Sequence, residues 1–348
     1  MTDRKNTGLR GFLILMSIGA LATAGESAGR SDASAGAALA QEGKRIRVCL
    51  LPKKKGVPYF TSCAKGAEEA AKALGNVDLI YDGPTDGSPE KAASMIERWA
   101  LQGVDVIAVS PNDPDVLASA MRKARQKGVR VITWDADGLP DTREFFVNQA
   151  TAKEIGFALV DAMAADLGGN DASGELAIIT ATLTAANQND WIRHMKERLT
   201  AYPKLKLVAI KPSNEDQRLA FQATRDLMNA HPDLRGVFGI SSVSFPGAAE
   251  AVKQSGKSGK VLVTGLSTPN DMRAHVHDGT VRTVVLWNTL DLGYLTVYAA
   301  EALATGKLKP GATTLSAGRL GERSIAGDHI LLGEIIRFTK ENIDGFDF

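Results

Sequence analysis

The sequence predicts an α/β protein built as two doubly wound lobes with a ligand crevice between them. Short β-branched apolar runs alternate with helical stretches from about residue 44 to about residue 305, and steady strand–helix alternation implies parallel strands joined by right-handed crossovers. The units are more numerous than one open sheet comfortably holds, so they divide between two. At 348 residues the chain is long enough for two medium domains.

Ahead of the alternation, Arg4, Lys5 and Arg10 precede an apolar run over 12–21, too short to span a bilayer as a permanent helix, and Ala-x-Ala sites end at Ala24 and Ala40. Residues 1–40 therefore read as a secretory signal peptide and leader, which makes the mature protein an exported one. No cysteine follows the apolar run directly, which argues against a lipid anchor there.

The first cycle then begins. Strand 44–51 leads to a helix over 61–74 with small residues on one face, and strand 77–81 leads to helix 88–102, opened by Ser88-Pro89 as N-cap and N1 proline. An almost wholly apolar strand over 104–109 precedes helix 113–127, which Gly128 stops. Strand 129–134 runs into Asp135 and Asp137, and 144–147 is a short strand. A second cycle comprises helix 152–167, strand 175–180, helix 187–200, strand 206–210, helix 215–230, strand 236–240, helix 246–255 and strand 260–266. Helix 268–277, strand 281–287 and helix 290–305 follow, and from Lys307 the pattern loosens into short strands and turns. Periodicity leaves open which lobe receives these later segments.

Composition excludes several functions. A net charge of +1 gives no reason to expect nucleic acid or an anionic membrane as partner. Cys49 and Cys63 lie outside any CxxC or Cys/His cluster and read as small core residues, with a disulfide left open. The first βα turn has no GxGxxG, and Gly256-Lys257-Ser258 lacks the earlier glycine of a phosphate loop and runs into a strand. His275 and His277, two apart, cannot share a helix face, which points to solvent rather than a metal. No GxSxG elbow appears in the strand–helix alternation from residue 44 on. The expectation is a binding protein with neither cofactor nor metal, not an enzyme.

The polar residues that stand out all follow strands. Lys53 follows the first, with Tyr59 and Phe60 opening the next helix; Asp135 and Asp137 follow the fourth. Asn187, Gln188, Asn189 and Trp191 follow strand 175–180, Ser241 and Ser242 follow Ile240, and Trp287 with Asn288 closes strand 281–287. Open α/β sheets bind ligands at the carboxyl ends of their strands. A carboxylate accepts from two neighbouring hydroxyls, amides and a cation serve others, and aromatic faces cover the C–H side of a ring. The set suits a small hydroxyl-rich molecule. Singly, each has a bland reading: Asp135 as a loop cap, Tyr59 and Phe60 as core.

Several motifs resemble those of the ribose-binding-like periplasmic proteins: Pro58-Tyr-Phe60 with Gly66-Ala67, Thr133-Trp-Asp-Ala-Asp137, Phe146-Val-Asn-Gln149, Leu183-Thr-Ala-Ala-Asn-Gln-Asn189, Leu266-Ser-Thr-Pro-Asn270 and Leu286-Trp-Asn288. The nearest likeness is to the rhamnose-binding and autoinducer-binding branches. It implies a type I periplasmic binding protein: two Rossmann-like lobes joined by a three-segment hinge, monomeric, closing over a monosaccharide and delivering it to an ABC permease in the inner membrane. By the same likeness one lobe comprises 41–148 with 267–288, the other 149–266 with 289–348, and the hinge includes Asn148, Gln149 and Ser267, with a crossing near Asn288. Lys53 and Asp135 match the ligand-contacting lysine and aspartate of the autoinducer branch, whose aspartate–glutamine pair becomes Asn187-Gln188 here. A rhamnose-like deoxyhexose, a pentose or a polyol is the expected ligand. A furanosyl autoinducer signal is one alternative, and an exported sugar-active enzyme is another.

Overall fold

The computed structural model describes residues 45–348; the expected signal peptide and leader lie outside the described residues. In chain order the elements are β1 (Ile46–Leu51), α1 (Pro58–Leu74), β2 (Val77–Tyr81), α2 (Pro89–Leu101), β3 (Val106–Val109), α3 (Pro114–Gln126), β4 (Arg130–Trp134) and β5 (Phe146–Asn148). Then come α4 (Ala152–Asp166), β6 (Gly174–Thr180), α5 (Ala186–Leu199), β7 (Leu205–Pro212), α6 (Gln217–Ala230), β8 (Leu234–Gly239), α7 (Ser244–Gln254), β9 (Leu262–Leu266), α8 (Pro269–His277) and β10 (Val281–Leu286). The last part holds α9 (Thr289–Ala304), β11 (Thr314–Ser316), β12 (Glu322–Ala326), β13 (His329–Leu331) and β14 (Ile336–Phe338).

These strands form two sheets, ordered β11-β12-β13-β5-β4-β3-β1-β2 and β14-β10-β9-β8-β6-β7. Each is parallel through its centre, with antiparallel pairs only at one edge. Alternation along β1 shows why its sequence is apolar throughout. Val48 and Leu50 join the core beneath α1 and α9, while Cys49 and Leu51 join the core beneath α2 and α3. Cys63 of α1 lies on the first side and Cys49 on the other, so both are free and buried. The expected start signals act as caps: Ser88 accepts from the Lys91 N–H, and Asp113 from Asp115 and Val116.

The late segments join the sheets the other way round from the expected boundaries. Residues 267–288 carry α8 and β10, and β10 pairs with β9 in the six-stranded sheet. Helix α9 instead packs along α1 and under β1, β3, β4 and β5, and β13 pairs with β5, so 289–332 belongs to the first lobe. The reason lies in α9. It is apolar on nearly every face and must be covered on nearly every side, and α1 offers Gly66. A Cβ there would lie 1.8 Å from the Leu290 carbonyl oxygen, and one on Gly293 would lie 1.8 Å from that of Cys63. Only glycine at both places lets the two backbones touch.

The chain therefore crosses between lobes after β5, after β10 and between β13 and β14. Asn148 and Gln149 lie on the first crossing and Asn288 on the second. Ser267 does not lie on a crossing: it joins β9 to α8 within one lobe, its hydroxyl bonded to the Ser242 carbonyl. Crossings one and three are laced together, with Leu332 N–H donating to Asn148 C=O at 2.8 Å.

Candidate functional site

The carboxyl ends of both sheets face one crevice. Of the residues expected there, Lys53, Tyr59, Phe60, Asp135, Asn187, Gln188, Ser241, Ser242 and Trp287 line a single cavity, together with Trp191, Glu215, Ile240, Leu266 and Leu286. Its volume is about 390 Å³ counting the mouth and the open solvent there.

Asp135 is the centre of the first lobe's wall. It directly follows β4 and holds φ at 63°, with the Ala136 N–H closing onto the Trp134 carbonyl at 2.6 Å. That three-residue turn with positive φ is a strained form for a non-glycine residue. It turns the carboxylate into a buried net. Oδ1 accepts from Tyr59 Oη at 2.8 Å, and Oδ2 from Ser110 Oγ at 2.8 Å, with Lys53 Nζ 3.1 Å from Oδ2. Tyr59 in turn accepts from Trp287 Nε1 at 3.0 Å. Burial, then the Asp135 charge, holds the Tyr59 phenol well above its usual range, so it remains a donor. Asn112 fixes the Lys53 backbone by donating to its carbonyl at 2.9 Å, and Gln149 on the first crossing donates to the Asp135 carbonyl at 3.0 Å.

The second lobe supplies amides and a carboxyl. Gln188 Oε1 accepts from Thr180 Oγ1 and from the Ala181 N–H at 2.8 Å, which leaves its NH₂ as the group offered to the cavity. Asn187 Oδ1 accepts from Lys53 Nζ at 3.4 Å, so its NH₂ is likewise the free end. Glu215 sits between β7 and α6, one oxygen 3.4 Å from Ser241 Oγ. Desolvation raises its carboxyl above the usual range, against the pull of Lys53 and Lys54. Trp191 meets Trp287 edge to face at 6.3 Å, and Tyr59 meets Trp287 at 6.1 Å, so three rings flank the polar groups.

Two expected residues serve elsewhere. Asp137 is held by Arg143, whose Nε donates to Oδ1 at 2.8 Å and Nη2 to Oδ2 at 2.6 Å. The guanidinium is buried and takes Asp328 as its second counter-charge. Asn288 caps α9, accepting from the Asp291 N–H at 3.2 Å. Conversely, Ser110 and Glu215 were not singled out by the sequence. Helical periodicity places Glu215 inside a helix over 215–230, but Asp216 accepts from the N–H groups of Arg218 and Leu219 and starts α6 only after itself. The Asn-Glu-Asp order, with a capping aspartate third, is the signal that separates Glu215 from the helix.

Among the described residues no group of three or more His, Cys, Asp or Glu is arranged to hold a metal. His277 is exposed and meets Asp344 at 2.9 Å, whereas His275 is half-buried rather than solvated.

The chain belongs to the periplasmic binding protein domain family, whose model matches residues 48–308. It is 28% identical to the ribose import binding protein of Bacillus subtilis over 72% of this chain and 79% of that one. Among solved structures it is similar to an ABC transporter solute-binding protein from Clostridium phytofermentas with bound L-rhamnose, at TM-score 0.81 and 29% identity, covering 87% of this chain and 98% of that one. It is also similar to LsrB from Clostridium saccharobutylicum in complex with AI-2, at TM-score 0.82 and 27% identity, covering 87% and 100%. The fold is that of type I periplasmic sugar-binding proteins, and the relatives are substrate-binding proteins.

Proposed function

We propose that this chain is the periplasmic substrate-binding component of an ABC-type importer, taking one neutral monosaccharide or polyol between its lobes and presenting it to an inner-membrane permease. The observation that carries the reading is the convergence, at the strand ends of two separate sheets, of a lysine–aspartate pair, two amide NH₂ groups and four aromatic rings on one cavity. Lys53, Asn187 and Gln188 donate to ligand oxygens, and Tyr59, Phe60 and Trp287 cover the ring. Contacts from both lobes favour the closed state, since a ligand shifts a hinge only by binding one state better than the other. The mature protein acts as a monomer once its signal peptide is removed. The ligand is a deoxyhexose such as L-rhamnose, a pentose or a polyol.

Thermal unfolding against L-rhamnose, D-ribose, D-arabinose, D-allose and xylitol tests this. A ligand at about one hundred times Kd adds about 2.7 kcal/mol, which raises Tm by several degrees; no rise with any neutral carbohydrate overturns the reading. The second reading, a furanosyl autoinducer, is supported by Lys53, Asp135 and Gln188 sharing the cavity. Mass analysis of ligand extracted from the purified native protein separates the two.

A further inference from the structure

We propose that Glu215 sets the charge preference of the crevice: its carboxyl group takes a hydroxyl from a neutral ligand on the second lobe's side and turns away ligands that carry a carboxylate or phosphate. This rests on the carbohydrate reading and adds to it the residue that sets the ligand's charge.

Placement comes first. Asn214 and Glu215 both sit at φ 53°, a left-handed pair that non-glycine residues adopt only when the surroundings hold them there. The surroundings do. Ser213 N–H donates to Thr180 C=O at 2.8 Å and Asn214 N–H to Ala181 C=O at 2.6 Å, while Asp216 caps α6. Across the crevice Lys54 Nζ donates to the Glu215 carbonyl at 3.1 Å. The side chain thereby lines the cavity instead of the helix surface.

Charge comes second. Lys53 faces Asp135 at 3.1 Å, so that pair is neutral as a unit. Lys54 is engaged on the backbone of Glu215, and no ion pair to the Glu215 carboxylate occurs among the described residues. A ligand anion would meet two carboxyl groups and one lysine already spoken for, in a site where water screens little. Donors and acceptors point the same way. Lys53, Asn187 and Gln188 all present N–H groups, and Glu215 is the acceptor left short, with one hydrogen bond at 3.4 Å. A hydroxyl satisfies both kinds, since it donates and accepts.

The test is calorimetric titration of the mature wild-type chain, E215Q and E215D with L-rhamnose and D-ribose as neutral probes and D-galacturonate and D-ribose 5-phosphate as anionic ones, with circular dichroism verifying the fold. Wild type is expected to bind at least one neutral probe and neither anion. In E215Q the neutral-over-anionic preference falls tenfold or more. E215D, which keeps the charge but withdraws it, weakens neutral binding tenfold while still rejecting anions, and it also decides the matter should E215Q not fold. A neutral affinity unchanged within twofold in both variants, or wild type binding an anion as tightly as its neutral partner, overturns the proposal alone. A wild-type chain that binds no neutral probe overturns the carbohydrate reading, and this inference with it.

Discussion

On the first lobe's wall of the crevice, Asp135 accepts from Tyr59 and Ser110, pairs with Lys53, and is held from behind by Gln149. On the second lobe's wall, Asn187, Gln188 and Glu215 each keep a polar end without a partner among the described residues. The first wall is bonded mostly within itself, with Lys53 reaching across to Asn187; the second keeps more of its polar ends open. A closed polar net is costly to damage and changes little on binding, whereas open valences cost little to remove and are where ligand affinity resides.

Variants that separate stability from affinity sharpen that contrast. The largest effect is expected from Asp135→Ala, which strands the buried Lys53 ammonium. Breaking one half of a buried pair costs about 3–5 kcal/mol, so chemical denaturation should show a deeply destabilised chain as well as lost binding. A near-normal urea midpoint would mean that the first wall is not a net. Next, Tyr59→Phe removes the oxygen that joins Trp287 to Asp135. Leaving those buried groups short costs about 1–3 kcal/mol, visible in the same assay.

Asn187→Ala on the opposite wall should behave differently. Its stability change should be small, because the residue is half-buried and its bond to Lys53 is long at 3.4 Å. Ligand affinity should drop about three- to tenfold, the worth of one net hydrogen bond of about 0.5–1.5 kcal/mol. Equal losses of stability in N187A and Y59F would erase the distinction between the walls.

The smallest effect concerns pH. The fold raises the Glu215 carboxyl above its ordinary 4.5 through desolvation, so the folded chain holds that proton more firmly than the unfolded chain. The contribution is fully present below the unfolded value and is lost as pH rises through the raised one. E215Q should therefore be more stable than wild type at neutral pH, with the gain fading toward about pH 4. A gain independent of pH in paired urea titrations would discard burial as its cause.

Much of this was legible in residue order. Strand ends gave Lys53, Tyr59, Asp135, Gln188 and Trp287 because apolar runs end abruptly in polar groups, and a parallel sheet sends those ends to one edge. Lobe membership was not legible: β10 and α9 show the same periodicities whichever sheet they join, and what seats α9 on α1 is Gly66 meeting Leu290 and Gly293 meeting Cys63, contacts far apart along the chain. Asp137 looked as available as Asp135 because nothing local reveals that Arg143 is buried and needs it. Glu215 was hidden by a helical pattern that begins two residues too soon.

The aromatic corner of the crevice has a practical consequence. Trp191 and Trp287 both line it, while Trp134 lies against Phe60 just behind and Trp99 sits in the separate core under α2. Any rocking of one half against the other alters the surroundings of the first two indoles and leaves the last as an internal standard. Were the two halves to move as proposed, the natural chain would carry its own optical gauge of that motion, readable by emission wavelength without a label.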